Sequence, residues 1–382
     1  MDTSDHAREG RSRLAAAIAE RALRETLELV AISTPSGDAE AAERAVAATI
    51  PMLPAAAAVE RIPCSSPDHA PDLLATLRGS GAARLVLVGH LDTVISHDRH
   101  QAGSVDGNRM RGSGTIDMKG GDALALGVFR ELAERAGSYA EVALLLVNDE
   151  EFRTRDFAHG PRFAGFDACL CFEGGERLAD GSEALVVKRK AASGIRVKAD
   201  GVAAHSGANP DHGRNALLAL ASVAQQLAAL HDPEGPDALT VVPVMLTSGE
   251  AMNAVPAAGE LLIDVRADRE EAFDAVFAAI PNDIDGVGLA VEQMRLWPGM
   301  DSREAAAPVL AQAAAAIGRP IEGTARGGAS DASNIAPFVP LSIDGLGPLG
   351  GFAHNPHEHL LVDSLAPRAE VALAIVGALL DD

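Results

Sequence analysis

Aromatic residues are scarce in this 382-residue chain: they make up 3% of it, with one Trp and one Tyr. Beside the heavy use of alanine, this scarcity points to no function. Basic residues are also few, 32 Lys and Arg against 54 Asp and Glu, for a net charge of −22. A phosphate-rich partner draws on clustered Lys and Arg, so nucleic acid and anionic membrane are set aside as partners. Cysteines number three, Cys64, Cys169 and Cys171, without zinc-knuckle spacing. They read as reduced thiols in a cytoplasmic protein. No apolar run approaches the length needed to span a membrane. The first residues, MDTSDHAREGR, begin acidic and lack the apolar core of a signal peptide. There is no internal repeat, no long Pro/Gly/Ser linker, and no Gly-x-Ser-x-Gly elbow behind a strand. The last absence speaks against a serine hydrolase.

What is present is an ordinary globular composition, 47% hydrophobic and 23% charged, which excludes disorder. The length suits two domains. Residues 12–31 and 38–49 read as helices, the second stopped by Pro51. Three short apolar runs, RLVLVG at 84–89, VALLLV at 142–147 and ACLCF at 168–172, have the length and flanks of strands buried on both faces. A helix over 121–136 separates the first two, so the pattern predicts an α/β sandwich with a mainly parallel sheet. From about Ala191 the texture changes. Strands at 193–199 and 260–267 alternate, helices cover 215–230 and 269–279, and the order strand, helix, strand, strand, helix, strand suits a small α+β module. Helices at 305–317 and 366–380, with an apolar stretch at 339–343, restore the first texture. The expectation is one discontinuous domain, 1–190 with 299–382, interrupted by an inserted one at 191–298.

Each of the three buried runs ends in side chains able to bind metal: His90-Leu91-Asp92, Asn148-Asp149-Glu150-Glu151, and Glu173. Ligands of open α/β sheets bind beyond the carboxyl ends of the strands, so parallel strands bring these residues to one rim. An isolated Asp-Glu-Glu is usually a solvated turn; three strands ending this way form a constellation. His90 and Asp92, two apart, face the same way if extended. Asp92 can then accept from the imidazole N–H that does not touch metal, fixing the tautomer. Glu150 and Glu151, as neighbours, point to opposite sides and cannot share a task.

The glycine-rich GSGTIDMKGG at 112–121 raises a nucleotide-binding alternative, but no clear buried strand precedes it, and Asp117 and Lys119 occupy its centre. Asp117 fits better as a carboxylate in a rigid loop at the start of a helix, where a lone Asp is otherwise an N-cap. Three histidines, His354, His357 and His359, fall within six residues near the end.

Together, His90-Leu91-Asp92, Asp117-Met118-Lys119-Gly120, Asp149-Glu150-Glu151, Glu173 and His354 resemble, in order and spacing, the di-zinc M20 peptidase/deacylase family. The likeness runs from about Ser33 to the C-terminus. The insert resembles the family too, in Gly201–Gly207 with Gly213-Arg214-Asn215-Ala216, and in Asn253-Ala254-Val255-Pro256 with Asp264-Val265-Arg266. The resemblance implies a zinc-dependent exopeptidase-like α/β/α catalytic domain with an inserted ferredoxin-like lid and dimerisation domain. It implies that Asp117 bridges two Zn²⁺ ions, His90 and Glu173 completing one and Glu151 and His354 the other. Co²⁺ or Mn²⁺ can use the same ligands. Glu150 becomes the general base, and Asp92 orients His90. Asn253 and Arg266 belong to a lid substrate site in which Arg266 binds a substrate carboxylate, a guanidinium being suited to bidentate recognition, and the loop containing Gly328 lies near that carboxylate. His205 reaches the active site of a partner subunit, implying a homodimer. The reaction implied is hydrolysis of an amide beside a carboxylate, in a small peptide or an N-acyl amino acid.

Two features depart from the family pattern. Phe152-Arg153-Thr154-Arg155 stands where small residues usually follow the paired glutamates, and His357 stands where an Asp is common. His357 competes with His354 as the last ligand. A non-catalytic relative that binds a peptide or an amino-acid derivative is the alternative reading, and retention of Glu150 with all five candidate ligands argues against it.

Overall fold

The computed structural model describes residues 3–380. The chain falls into two compact units: residues 1–188, 300–325 and 330–382, and residues 189–299 with 326–329. The sequence reading left 326–329 in the first unit. The structure assigns this loop to the second, where Arg189 and Arg266 donate to the carbonyls of Gly328 and Gly327.

The first unit is built on a six-stranded sheet in the order Ala58–Ile62, Asp72–Arg78, Tyr139–Val147, Ala83–His90, Ala168–Cys171, Leu341–Ile343. The last three pairings are parallel, and the first two are antiparallel. The two antiparallel strands were not foreseen. Ala58–Ile62 is exposed at four of its five positions, so it carries no apolar run to betray it.

Alternation along the central strands explains the layers. Leu85, Leu87, Val142, Leu144, Leu146 and Leu170 enter one core, with side chains of helices Thr3–Val30, Gly120–Ala133, Arg303–Ile317 and Leu365–Leu379. Val86, Val88, Ala143, Leu145, Val147, Cys169 and Cys171 enter a second, with Phe163, Phe166, Ala332 and Ile335. A strand covered on both faces has to be apolar at every position, and truncating one such leucine to alanine costs about 2–5 kcal/mol. Cys169 and Cys171 are therefore packing groups, two apart on one face, buried and outside any disulfide.

The first helix begins at Thr3, well before the expected residue 12. Its early turns are polar but have tertiary partners, since Arg8 and Arg11 donate to the carbonyls of Ile317 and Ala316 at another helix's C-terminal end. No described helix is long and apolar enough to cross a membrane.

The second unit has the order Ala191–Asp200, helix Ala216–Ala228, Thr240–Ser248, Ala258–Ala267, helix Phe273–Ala278, Val287–Trp297. Its antiparallel sheet runs Thr240–Ser248, Ala258–Ala267, Ala191–Asp200, Val287–Trp297, with a short edge strand Asp283–Ile284. That is the ferredoxin-like arrangement. Leu261, Ile263 and Val265 face the helices through Leu220, Val223 and Val276, leaving Leu262, Asp264 and Arg266 on the other side.

Candidate metal centre

Three parallel strands stop together, and their ends supply the site. Ala83–His90 ends on His90 itself, Tyr139–Val147 runs into Glu150 and Glu151, and Ala168–Cys171 precedes Glu173. The Asp117 carboxylate sits among them with its oxygens divided. Oδ1 is 3.1 Å from His90 Nε2, and Oδ2 is 2.9 Å from His354 Nε2. His354 Nε2 also lies 3.1 Å from Glu151 Oε2, and His90 Nε2 lies 3.7 Å from Glu173 Oε1 and 4.0 Å from Glu150 Oε2. Donor atoms of His90, Asp117 and Glu151 fall within 4.8 Å of one another.

His357 is not part of this set. It is exposed, and its ring lies against Phe352 with centroids 6.3 Å apart.

The donors fit cations. Four carboxylates converge with two imidazoles, and Glu151 Oε1 is buried without a partner. The electrostatics agree. Asp117 and Glu151 hold His354 protonated up to about 10. Burial opposes protonation of His90, yet Asp117 and Asp92 raise its pKa well above the usual imidazole range. Burial also works against ionised Asp117, but His354 and His90 keep its pKa below the usual carboxylate range. Two imidazolium protons thus supply the positive charge these carboxylates demand, and bound metal displaces such protons. Burial, then Glu173, Asp331 and Glu151, push Glu150 well above the ordinary glutamate range, with His90 opposing.

Asp92 differs from expectation. His90 Nδ1 is 3.0 Å from the Asp92 main-chain oxygen and 3.4 Å from its carboxylate. The carboxylate itself accepts from the Glu150 N–H at 3.2 Å and the Glu151 N–H at 3.1 Å. One buried residue thus orients the imidazole and pins the paired glutamates. Glu150 and Glu151 lie beyond the end of the strand. Their different directions come from the turn that Asp92 holds, and strand alternation has no part in it.

In the second unit, His205 bridges to Ala254, and Ser206 N donates to the Asn253 carbonyl, so these two loops meet. His205 Nδ1 accepts from the N–H groups of Gly207 and Ala208, both at 3.1 Å, which leaves Nε2 as the ring's donor. Arg266 Nε donates to Asp264 at 2.9 Å and an Arg266 Nη to the Gly327 carbonyl at 2.9 Å. The Gly328 carbonyl accepts from Arg189 at 2.6 Å.

The model of peptidase family M20/M25/M40 matches residues 86–378, most of the chain. The chain belongs to this family. M20 membership makes it a hydrolase of a metal-dependent kind. It is 29% identical over 269 residues to carboxypeptidase G2 of Pseudomonas sp. (strain RS-16), covering 67% of this chain and 62% of that protein, less than two thirds of its length. It is 27% identical over 333 residues to succinyl-diaminopimelate desuccinylase of Xylella fastidiosa (strain 9a5c), covering 80% of this chain and 85% of the relative. An aminopeptidase PepT structure from Bacillus cereus shares the fold, with a TM-score of 0.75 at 20% identity over 94% of this chain and 98% of that one.

Two residues beside this candidate centre have roles that the sequence reading did not give them. Glu358, 3% exposed, accepts from the N–H groups of Gly114 at 3.0 Å, Ile116 at 2.9 Å and Asp117 at 3.2 Å. It fixes a loop in which Asp117 has non-helical angles, φ −128 and ψ 89, and is followed by a cis peptide bond. A lone Glu among three histidines carries no signal for this, because its partners are backbone amides more than two hundred residues away. Arg153, in the departing segment, turns inward. Its side chain is 5% exposed and pairs with Asp149 at 2.9 Å and Asp331 at 2.7 Å.

Proposed function

We propose that this chain is a two-metal amidohydrolase that cleaves an amide bond adjacent to a carboxylate, as a glutamate-type carboxypeptidase or an N-acyl-amino-acid deacylase. The observation that carries this reading is the division of Asp117, one oxygen toward His90 and the other toward His354, with Glu173 and Glu151 beside them. Mixed nitrogen and carboxylate ligands of this kind suit catalytic Zn²⁺, two per chain. Bound there, two such ions polarise the amide carbonyl and make an attacking water acidic.

Glu150 then takes the proton from the attacking water and delivers it to the leaving amine nitrogen. Asp92 keeps Glu150 in place through its main-chain N–H. Arg266 retains guanidinium capacity toward the substrate carboxylate while Asp264 and Gly327 fix its plane. His205, protonated on Nε2, suits donation to the oxygen that becomes negative in the transition state, and we assign that oxygen to the partner subunit's site in a homodimer. An unpaired edge supports the dimer. Thr240–Ser248 is the outermost strand of its sheet and exposes Val242, Val244, Met245 and Leu246, a surface that invites pairing with another copy. Cys169 and Cys171, buried and outside any disulfide, suit a cytoplasmic setting.

The test is a hydrolysis screen over N-acyl amino acids and dipeptides ending in glutamate, with and without chelator. Hydrolysis that chelator abolishes and Zn²⁺ restores is expected, and Glu150→Gln should keep its metal while losing roughly 10²–10⁴-fold in turnover. Near-normal turnover of that variant removes Glu150 as the base; full activity in metal-free protein overturns the proposal.

A further inference from the structure

Ten phenylalanines are present in this aromatic-poor chain, and three of them are exposed. The two most exposed, Phe152 at 65% and Phe352 at 61%, stand on the two loops that carry Glu151 and His354. Those loops meet: Glu151 Oε2 is 3.1 Å from His354 Nε2. Phe152 follows Glu151 directly and Phe352 precedes His354 by two, so each main chain lies within about 8 Å of a ligand's own.

Neither ring is exposed by slackness. Arg153, next to Phe152, is buried between Asp149 and Asp331 and lies over the Phe157 ring at 4.9 Å. That anchor draws residue 153 inward and leaves its neighbour on the surface. Phe352 has a φ of +61, and His354 a φ of +62. A bulky residue in the left-handed region is uncommon and strained, and such strain collects at functional sites. His357 and His359 back the Phe352 ring, with centroids 6.3 and 5.9 Å away. The same loops contribute the charged groups Glu151 and His354, and the two rings are their large exposed apolar side chains.

We propose that Phe152 and Phe352 form an apolar jaw at the mouth of the metal centre, selecting substrates with an aryl or large alkyl group beside the scissile amide. The inference rests on the amidohydrolase reading and adds the substrate class to it. Exposed apolar surface next to a polar site marks ligand contact, and a hydrophobic contact of this size discriminates by about 10- to 100-fold.

The test compares kcat/KM for pairs that differ on one side of the amide: N-hexanoyl against N-acetyl amino acids, and dipeptides beginning with Phe against Gly. The wild type should favour the larger member of at least one pair by about tenfold or more. Phe152→Ser and Phe352→Asn should each remove most of that preference by slowing the larger substrate, while Phe152→Leu retains it. Asn is chosen at 352 because it tolerates positive φ. Calorimetric titration of the metal-loaded protein with hexanoate against acetate, and phenylalanine against glycine, gives a second readout without turnover. Preference absent from both readouts, or variants that slow large and small substrates equally, overturns the jaw. Jaw-dependent binding without chelator-sensitive hydrolysis leaves the jaw standing and overturns the amidohydrolase reading instead.

Discussion

Replacing Glu358 by Gln is a one-atom change whose effect should appear in metal affinity. In the native side chain Oε1 accepts from Ile116 and Asp117, and Oε2 from Gly114. The Gln oxygen can keep the first pair, but its NH₂ then faces the Gly114 N–H, donor against donor. Losing one bond to a charged acceptor costs about 1.5–3 kcal/mol, and the two that remain lose their charge assistance. Against this, burial raises the proton affinity of Glu358 more than the three N–H groups lower it. The neutral amide therefore recovers part of the cost of burying a charge. A net loss of about 2 kcal/mol is the balance of these figures, and it falls on the loop that aims Asp117 at both imidazoles. Partners of this kind typically govern metal affinity by about 10- to 100-fold. Chelator competition should therefore find Glu358→Gln weaker for Zn²⁺ by that factor, and Glu358→Asp weaker still, because the shorter side chain cannot reach all three amides. The melting temperature should fall by roughly 2–4 °C. Wild-type metal affinity together with a lowered Tm would refute the argument, since it would mean that Glu358 stabilises the loop without positioning Asp117.

Two further outcomes concern other buried carboxylates. Asp92→Asn can accept from only one of the Glu150 and Glu151 amides, so kcat should drop by about 10- to 100-fold at saturating metal, worth one charge-assisted bond; an unchanged kcat would show that the turn holds itself. Glu183, buried with Arg368 at 3.1 Å, titrates below the usual glutamate range because Arg368 and Arg177 outweigh its burial. Its stabilisation is present above the unfolded pKa and is lost as pH falls through the lower folded one. Arg368→Met should cost about 3 kcal/mol at pH 7, and the gap to wild type should narrow on acidification; denaturant unfolding at several pH values measures it, and a gap that does not change with pH counts against the pairing.

Much of the candidate site was legible because its donor residues lie at strand ends. A buried parallel strand is apolar throughout, so polar residues at or just beyond its end are conspicuous, as at His90, at Asn148 to Glu151 and at Glu173. The insert's strand-helix order was legible for the same reason of periodicity. Asp92 was placed in the site, but its partners were not, because the amides it accepts lie on another strand's end. Arg153 read only as part of a segment that departs from the family pattern. Its inward turn depends on Asp331, far along the chain.

The sequence by itself determined the layers, the inserted module and the donor types, since these follow from local period and from residue chemistry. Tertiary structure alone decided which histidine of the last cluster turns to Asp117, what Glu358 holds, and how one aspartate fixes two glutamates. Each of those depends on a backbone amide or carboxylate remote in sequence, and a hydrogen bond to a main-chain group leaves no mark on the identity of the residue that donates it.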